Sequence, residues 1–263
     1  MVKRILLLTT PRTYRAEAFR QAAGRLGIEV VEALDLPEAL SEAWQVELGV
    51  DFSQPDDAVA AIVAFAEKRP FSAIIAVDDS GALIAAQAAA TLGLPHNAPT
   101  AAEAARNKHL MRQRLHAGGV PAPQSQKFLT NDPIEMIGAE VDFPVVVKPL
   151  TLNGSRGVIR ANHATALKTA VLRTSQLLHQ LFGNEAAHPF LVETYVPGIE
   201  VAVEGLLDNG RLHILALFDK PDPLEGPYFE ETIYVTPSRL HQETQQEIAA
   251  CTAAARVVKD PAA

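Results

Sequence analysis

The sequence has little cysteine, few aromatic residues and no excess of basic charge. Cys251 is the single cysteine among 263 residues, which excludes an intramolecular disulfide and leaves no cysteine cluster for zinc. The 31 acidic residues outnumber the 23 basic ones, and the net charge is −8. Since no basic stripe with interleaved aromatic side chains is present, we expect no nucleic-acid partner. The eight histidines lack metal-ligand spacing, so we assign no metal ligand.

Long hydrophobic runs are also missing. The apolar segment at residues 5–8 is much too short for the core of a signal peptide, and no segment approaches the length of a transmembrane helix. Together with the single cysteine, these absences predict a cytoplasmic protein without membrane association.

The chain is nonetheless 48% hydrophobic, which is enough for a sizeable core in about two domains. Its first part alternates strand-like and helix-like segments, as in a doubly wound sheet. The strand-like segments are residues 4–10, 28–34 and 72–78, and the helix-like ones are 14–26, 56–68 and 80–90. We therefore predict a Rossmann-like α/β domain at residues 1–98. Asp78 and Asp79 end its last strand, where a ligand contact and a helix N-cap would explain them equally well.

A connecting segment follows at residues 99–124. Thr100 can cap a helix that runs through Lys108 toward Leu115, and the glycine pair at residues 118–119 stops it. This segment predicts a linker helix between the two domains.

The remainder, residues 125–263, predicts an α+β domain with mostly antiparallel strands. Its first lobe would span about residues 125–196 and its second about 197–263. The turn at residues 208–210 joins two long strands of the second lobe. The expected strands are residues 126–129, 145–148, 158–161, 190–194, 200–207 and 211–218, and the expected helices are 165–182 and 242–258.

The most informative stretch is FPVVVKPLTLNGSRGV, at residues 143–158. Its three consecutive valines predict a strand covered on both faces, and Lys148 at the strand end would be desolvated unless an anion met it. In the loop that follows, Gly154 and Gly157 let backbone N–H groups approach an oxyanion, while Arg156 adds charge. These features fit a triphosphate. A polar hairpin loop with a lysine extending to solvent explains the segment equally well.

Two common nucleotide-binding motifs do not match this stretch. The Walker pattern requires a glycine-rich loop that ends in Gly-Lys-Ser/Thr at the start of a helix, whereas here the lysine precedes the loop. No Gly-x-Gly-x-x-Gly follows the first strand. An ordinary P-loop fold and a dinucleotide-binding fold are therefore disfavoured.

Four features occur in order along the chain. They are Asn107-Lys108, Lys148 before the glycine loop, VETYVPGIEVAVEG at residues 192–205 and FDKPDPLEGPYFEETIYVTPS at residues 218–238. This order resembles the ATP-grasp superfamily over nearly the whole chain, and it is most similar to the carboxylate-amine ligases that join an amino acid or peptide to an amine. The resemblance implies a Rossmann-like domain before an α+β ATP-grasp domain, ATP as cofactor, and a small-molecule carboxylate and amine as partners. It leaves the oligomeric state open.

By this resemblance, Lys108 and Lys148 would contact the nucleotide phosphates, and the glycine loop would close over them as a mobile lid. Two ammonium groups and several backbone donors would offset the triphosphate charge, while the glycines would permit opening and closing. The implied loop contacts are Asn153, Gly154, Ser155 and Gly157.

The same resemblance implies a hinge between the two lobes that binds the nucleoside. Glu193, Tyr195 and Val196 would read the amino edge of adenine, and Glu200 would accept hydrogen bonds from the ribose. A strand with its polar face in water is the alternative for Glu200.

The charged, proline-rich segment at residues 219–231 is expected to border the active cleft. Lys220 would help to bind phosphate or substrate, and Glu231 would face the substrate amine. A solvated loop explains both residues equally well.

The family mechanism transfers the ATP γ-phosphate to a carboxylate, and an amine then attacks the acyl phosphate to form an amide. Magnesium normally rests on a glutamate and a later Glu-x-Asn pair, but no asparagine occurs beyond Asn209. We therefore find no metal ligands in the sequence, and we expect a chain cut or diverted near Ala255, with an ATP-grasp domain that is incomplete at its C-terminal end.

Three hypotheses stay open from the sequence. The first is an ATP-dependent carboxylate-amine ligase in truncated form, and whether such a chain is an active enzyme is undecided. The second is a non-catalytic nucleotide-binding or regulatory protein without the metal site. The third is a plain α/β structural or interaction domain with an incidental glycine loop.

Overall fold

A computed structural model describes residues 3–230 and 233–255 of this protein. The chain divides into two compact units, Met1–Glu103 (unit 1) and Ala104–Ala263 (unit 2). The domain bounds 1–98, 99–124 and 125–263 remain predictions.

Unit 1 is built around a four-stranded sheet in the order β3-β2-β1-β4, in which every strand pair is parallel. Parallel neighbours need crossover connections, and helices supply them here. The predicted Rossmann-like alternation is thus confirmed. The elements are β1 (Arg4–Thr9), α1 (Ala16–Arg25), β2 (Glu29–Asp35), β3 (Leu48–Val50), α2 (Pro55–Lys68), β4 (Ala73–Ala76) and α3 (Ala82–Thr91).

The carboxylate of Asp78, just after β4, fastens the loop that follows β1. It accepts hydrogen bonds from Thr10 N at 3.3 Å, Thr10 Oγ1 at 3.0 Å and Thr13 Oγ1 at 3.0 Å. Asp78 makes no side-chain capping bond to the short helical turn that it precedes. The N-cap interpretation is therefore wrong for Asp78, because its carboxylate binds Thr10 and Thr13 of the loop after β1 instead.

The predicted linker helix is in fact two helices, α4 (Pro99–Arg106) and α5 (Lys108–Ala117). Asn107 separates them with an extended backbone, and its side chain accepts hydrogen bonds from the backbone N–H groups of His109 and Leu110. The expectation of one continuous helix is wrong, because this N-cap satisfies two backbone donors that a new helix leaves unpaired.

Unit 2 contains a second four-stranded sheet in the order β5-β8-β6-β7, with every pair antiparallel. This confirms the α+β prediction. A two-stranded antiparallel sheet, β9 and β10, follows it. The elements are β5 (Ser125–Leu129), α6 (Ile134–Ala139), β6 (Val145–Pro149), β7 (Ile159–Ala161), α7 (Ala164–Phe182), β8 (Pro189–Thr194), β9 (Val201–Asp208), β10 (Arg211–Asp219) and α8 (Gln242–Ala255).

The two faces of β6 have different roles. Val145 and Val147 join the core of unit 2 beneath α7, whereas Val146 lies on the opposite face with Lys148. All three valines are buried, with exposures of 2%, 6% and 0%. The prediction of a strand covered on both faces is confirmed, and it follows that Lys148 projects from a largely water-excluded surface.

Candidate functional site

A buried carboxylate lies at the centre of the second face of this sheet. Glu193 stands opposite Val146 in the register of β8 and β6, so Lys148, two residues further along, is its diagonal neighbour on the same face. Lys148 Nζ donates a hydrogen bond to Glu193 Oε1, and Arg112 Nε donates to Glu193 Oε2 at 3.0 Å. The Glu193 side chain is only 6% exposed. One carboxylate therefore binds two cations, one on each oxygen.

Lys108 brings a third cation to this cluster and also anchors the loop after β6. Its ammonium donates to the carbonyls of Leu150 at 3.3 Å and Leu152 at 2.6 Å, and its backbone N–H donates to Leu150 O at 3.1 Å. Burial lowers the pKa of Lys108, the nearby charge of Lys148 lowers it further, and Glu193 opposes both effects. An anion placed at this ammonium would reverse the shift.

The glycine loop, residues 151–158, returns sharply from β6 to β7. Three of its residues have left-handed backbone, Gly154 at φ 59°, Ser155 at 55° and Gly157 at 73°. At Gly154 an added Cβ would meet nothing within 4 Å, whereas at Gly157 it would lie 2.8 Å from Leu177 Cδ2 and 3.0 Å from Pro149 Cγ. Gly157 is thus needed for close packing at the loop base, and Gly154 is left open for another group to approach.

The remaining loop residues face outward. Asn153, Gly154 and Arg156 are exposed and Ser155 is half-buried. The Arg156 N–H donates to Asn153 O at 3.4 Å, which is a weak contact within the loop. Of the four predicted loop contacts, Asn153 and Gly154 are therefore exposed and Ser155 is half-buried, whereas Gly157 packs at the loop base.

Two of the predicted hinge residues, Tyr195 and Val196, follow β8 directly, whereas Glu193 lies within it. Tyr195 N donates to Pro144 O at 3.0 Å, and the Arg160 guanidinium lies 3.8 Å from the centre of the Tyr195 ring. Val196 is 65% exposed although it is aliphatic. This exposure leaves an apolar surface next to the buried Glu193.

Glu200 and Lys220 form an ion pair. Lys220 Nζ donates to Glu200 Oε1 at 2.5 Å, with the lysine side chain 8% exposed and the carboxylate 48% exposed. The Lys220 side chain is therefore buried against Glu200 and does not extend into solvent, whereas the Glu200 carboxylate stays half-exposed. Glu231, the other residue predicted in this segment, lies outside the described residues.

A short segment of the loop after β10, residues 225–228, crosses the free edge of β7; we call it the strap. Arg160 N donates to Pro227 O at 2.8 Å, and Arg160 Nη1 donates to Glu225 O at 2.7 Å. Ile159 and Tyr228 form an isolated antiparallel bridge. The strap thus joins the loop after β10 to the sheet that carries Lys148.

The sequence-based reasoning missed two residues of this site, Arg112 and Arg160. Arg112 follows Lys108 by four residues on α5 and therefore lies on the same helix face. Arg160 stands opposite Val146 in register, so it shares a face with Lys148. The spacing of Arg112 was visible in the sequence and could have identified it, whereas the position of Arg160 depends on the register of β7 with β6.

The cluster as a whole can bind an anion. Three cationic groups, on Lys108, Arg112 and Lys148, surround the single carboxylate of Glu193. Such an excess of positive charge in a poorly solvated place is favourable only beside a negative partner. Metal binding has no comparable support, since the described residues contain no group of three histidine, cysteine or acidic side chains that could hold an ion.

The sequence matches known families of proteins. Two family models match, the ATP-grasp domain at residues 141–259 and the ATP-grasp N-terminal domain at residues 20–96. The chain belongs to the ATP-grasp superfamily, and the resemblance drawn from its motifs is confirmed.

Its relatives include carboxylate-amine ligases. Alanine–anticapsin ligase of Bacillus subtilis (strain 168) is 27% identical over 214 residues, an alignment that covers 75% of this chain and 45% of that protein. The chain thus spans less than half the length of this curated relative.

No helix of the described residues is both long and apolar enough to cross a membrane.

Solved structures show the same fold. An L-amino acid ligase from Bacillus licheniformis superposes with a TM-score of 0.75 at 24% identity and covers 96% of this chain and 59% of its own. A carboxyaminoimidazole ribonucleotide synthase from Aspergillus clavatus, complexed with ATP, gives a TM-score of 0.72 at 14% identity and covers 98% of this chain and 64% of its own.

Proposed function

We propose that the cluster around Glu193 and the glycine loop bind ATP, and that the protein takes part in ATP-dependent carboxylate-amine ligation. The observation that carries the proposal is the set of three cations around one buried carboxylate, beside a loop with left-handed backbone. A triphosphate would supply the missing negative charge.

The residue roles in this proposal follow the geometry. Lys108 lies at the base of the glycine loop and Lys148 at the end of β6, so their ammonium groups flank the place where phosphates would enter. Gly154 is open to close approach. The backbone N–H groups of the loop, which includes Asn153, Ser155 and Gly157, would add further donors.

The nucleoside would occupy the hinge. The exposed Val196 offers an apolar surface for the adenine ring, and the backbone beside Tyr195 and Glu193 offers polar groups for its edge. Glu200 would accept hydrogen bonds from the ribose hydroxyls, and its ion pair with Lys220 would then have to be shared or broken. Lys220 would then be available to a phosphate or a substrate carboxylate, and Glu231 is proposed to face the amine.

The chemistry proposed for the complete enzyme is transfer of the γ-phosphate to a substrate carboxylate. The acyl phosphate then reacts with a small-molecule amine, which forms the amide and releases phosphate. Positioning and charge neutralisation by Lys108 and Lys148 would be the contribution of this chain. Magnesium is expected from the family, but the described residues offer no cluster that fits it, so we assign no step to it.

Calorimetric titration with ATP tests the nucleotide site. Lys148→Met should weaken binding by about 10- to 100-fold, because a charge-assisted hydrogen bond contributes roughly 1.5–3 kcal/mol. Lys168→Met is the matched control, since Lys168 is exposed on α7. Equal affinities for all three proteins would show that Lys148 does not bind the nucleotide, and no heat of binding with the wild type would favour the structural-domain hypothesis.

An amide-forming assay separates the ligase from the nucleotide-binding alternative. Purified protein is incubated with ATP, magnesium and pools of amino acids, and phosphate release is measured with and without each amine. Release that depends on the amine supports ligation. ATP binding without such release supports a non-catalytic nucleotide-binding protein.

A further inference from the structure

Any anion that binds Lys148 takes a counter-ion away from the buried carboxylate of Glu193. In the structure this carboxylate is paired with Lys148 on one oxygen and with Arg112 on the other. A phosphate that binds the Lys148 ammonium competes directly with Glu193 for it. The carboxylate would then lose one of its two counter-ions while it remains 6% exposed.

A buried carboxylate without a counter-ion is strongly disfavoured. Removing one partner of a buried ion pair costs far more than the pair contributes, because the remaining charge is left unsolvated. The carboxylate would therefore hold Lys148 back from the phosphate unless another cation stayed on it. The charged groups that face Glu193 are Lys148 from β6 and Arg112 and Lys108 from α5.

We propose that Arg112 is a positioning residue that keeps Glu193 neutralised and in place when a nucleotide draws Lys148 away. This inference rests on the proposed function. Arg112 suits the task because it binds the oxygen that Lys148 does not use, and because its guanidinium stays charged in a poorly solvated place. Lys148, a point charge on a flexible stem at the strand end, suits exchange between a carboxylate and a phosphate.

The geometry also explains why Arg112, and not Lys108, remains bound to Glu193. Lys108 and Arg112 are four residues apart and share one face of α5, yet Lys108 turns to the carbonyls of Leu150 and Leu152 at the loop base. Arg112 instead points to Glu193, with its side chain 18% exposed. The helix thus assigns one cation to the loop and the other to the carboxylate.

A double-mutant cycle tests this role. ATP affinity is measured by calorimetry, with magnesium chloride present, for the wild type, Arg112→Met, Glu193→Gln and the double variant. Arg112→Lys tests rescue by a conservative change, and Arg211→Met, an exposed arginine in β10, is the matched control.

We expect Arg112→Met to weaken ATP binding by about 30-fold or more, as when one partner of a buried charge pair is truncated. The same substitution in the Glu193→Gln background should cost less than about 3-fold, since no carboxylate needs a counter-ion there. Arg112→Lys should recover most of the affinity.

The other outcomes overturn the inference. Equal losses in both backgrounds would mean that Arg112 acts on the nucleotide directly or through the general field. A loss that Arg112→Lys does not rescue, together with a lower unfolding midpoint, would mean that Arg112 only supports the fold. Failure of the wild type to bind ATP would remove the proposed function itself, whereas additive losses in a binding protein would remove only the role of Arg112.

Discussion

Replacing Gly157 by alanine should destabilise unit 2 more than the same change at Gly154. Both glycines have left-handed backbone, with φ of 73° and 59°. An alanine Cβ at Gly157 would lie 2.8 Å from Leu177 Cδ2 and 3.0 Å from Pro149 Cγ, but at Gly154 it would meet nothing within 4 Å. Backbone strain is therefore common to both variants, and only Gly157→Ala adds a steric clash.

The two contributions can be given magnitudes. A residue with a Cβ in the left-handed conformation costs roughly 1–2 kcal/mol, so Gly154→Ala should lower the free energy of unfolding by about that much. Overpacking adds typically about 1–3 kcal/mol, which gives roughly 2–5 kcal/mol for Gly157→Ala. The Leu177 methyl group can move aside, whereas the Pro149 ring has less freedom.

Urea unfolding of both variants measures this difference directly. Adding Leu177→Ala to Gly157→Ala should relieve the clash and recover part of the lost stability. The losses of the two single variants, Gly157→Ala and Leu177→Ala, should therefore sum to more than the loss of the double variant. Equal unfolding free energies for Gly154→Ala and Gly157→Ala would refute the packing argument. The glycine at 157 would then have to be explained by ligand approach instead.

Two further predictions concern the start of α5. Asn107→Ala should cost about 1 kcal/mol in urea unfolding, because it removes the N-cap that accepts from His109 and Leu110; a gain in stability would instead indicate one continuous helix. Since burial lowers the pKa of Lys108 in the folded protein, the unfolded chain binds more protons between that lowered pKa and 10.5, the usual value for lysine. The free energy of unfolding therefore rises with pH across this window. Lys108→Met should flatten that rise in urea titrations at successive pH values, and an unchanged slope would contradict the shift.

The parts of the fold that were predictable are those with local signals. The three valines before Lys148 reveal a buried strand, because β-branching and an unbroken apolar run require no knowledge of distant contacts. The break at Asn107 was missed because its neighbours favour a helix, and only the capping bonds to His109 and Leu110 decide the matter. β3 and α6, with 3 and 6 residues, are too short to show a period.

The lysines and the loop of the candidate site were singled out from the sequence, but their ion pairs were not. Which cation binds Glu193 depends on the register of β6 with β8, in which Val146 stands opposite Glu193. That register is set by the whole sheet, so the sequence alone could not show that Arg112 and Lys148 share one carboxylate. The resemblance to ATP-grasp proteins predicted a hinge role for Glu193 and did not indicate which cations pair with it.

The strap has a consequence for self-association. β7 is an edge strand of the sheet of unit 2, and an uncovered edge invites strands of other molecules to add to it. The carbonyl of Pro227 takes the backbone N–H of Arg160, and Tyr228 bridges to Ile159. Since proline has no N–H to donate, the strap covers β7 without presenting a complete new edge in its place. Protection against aggregation is thus built into the same segment that ties the loop after β10 to the sheet.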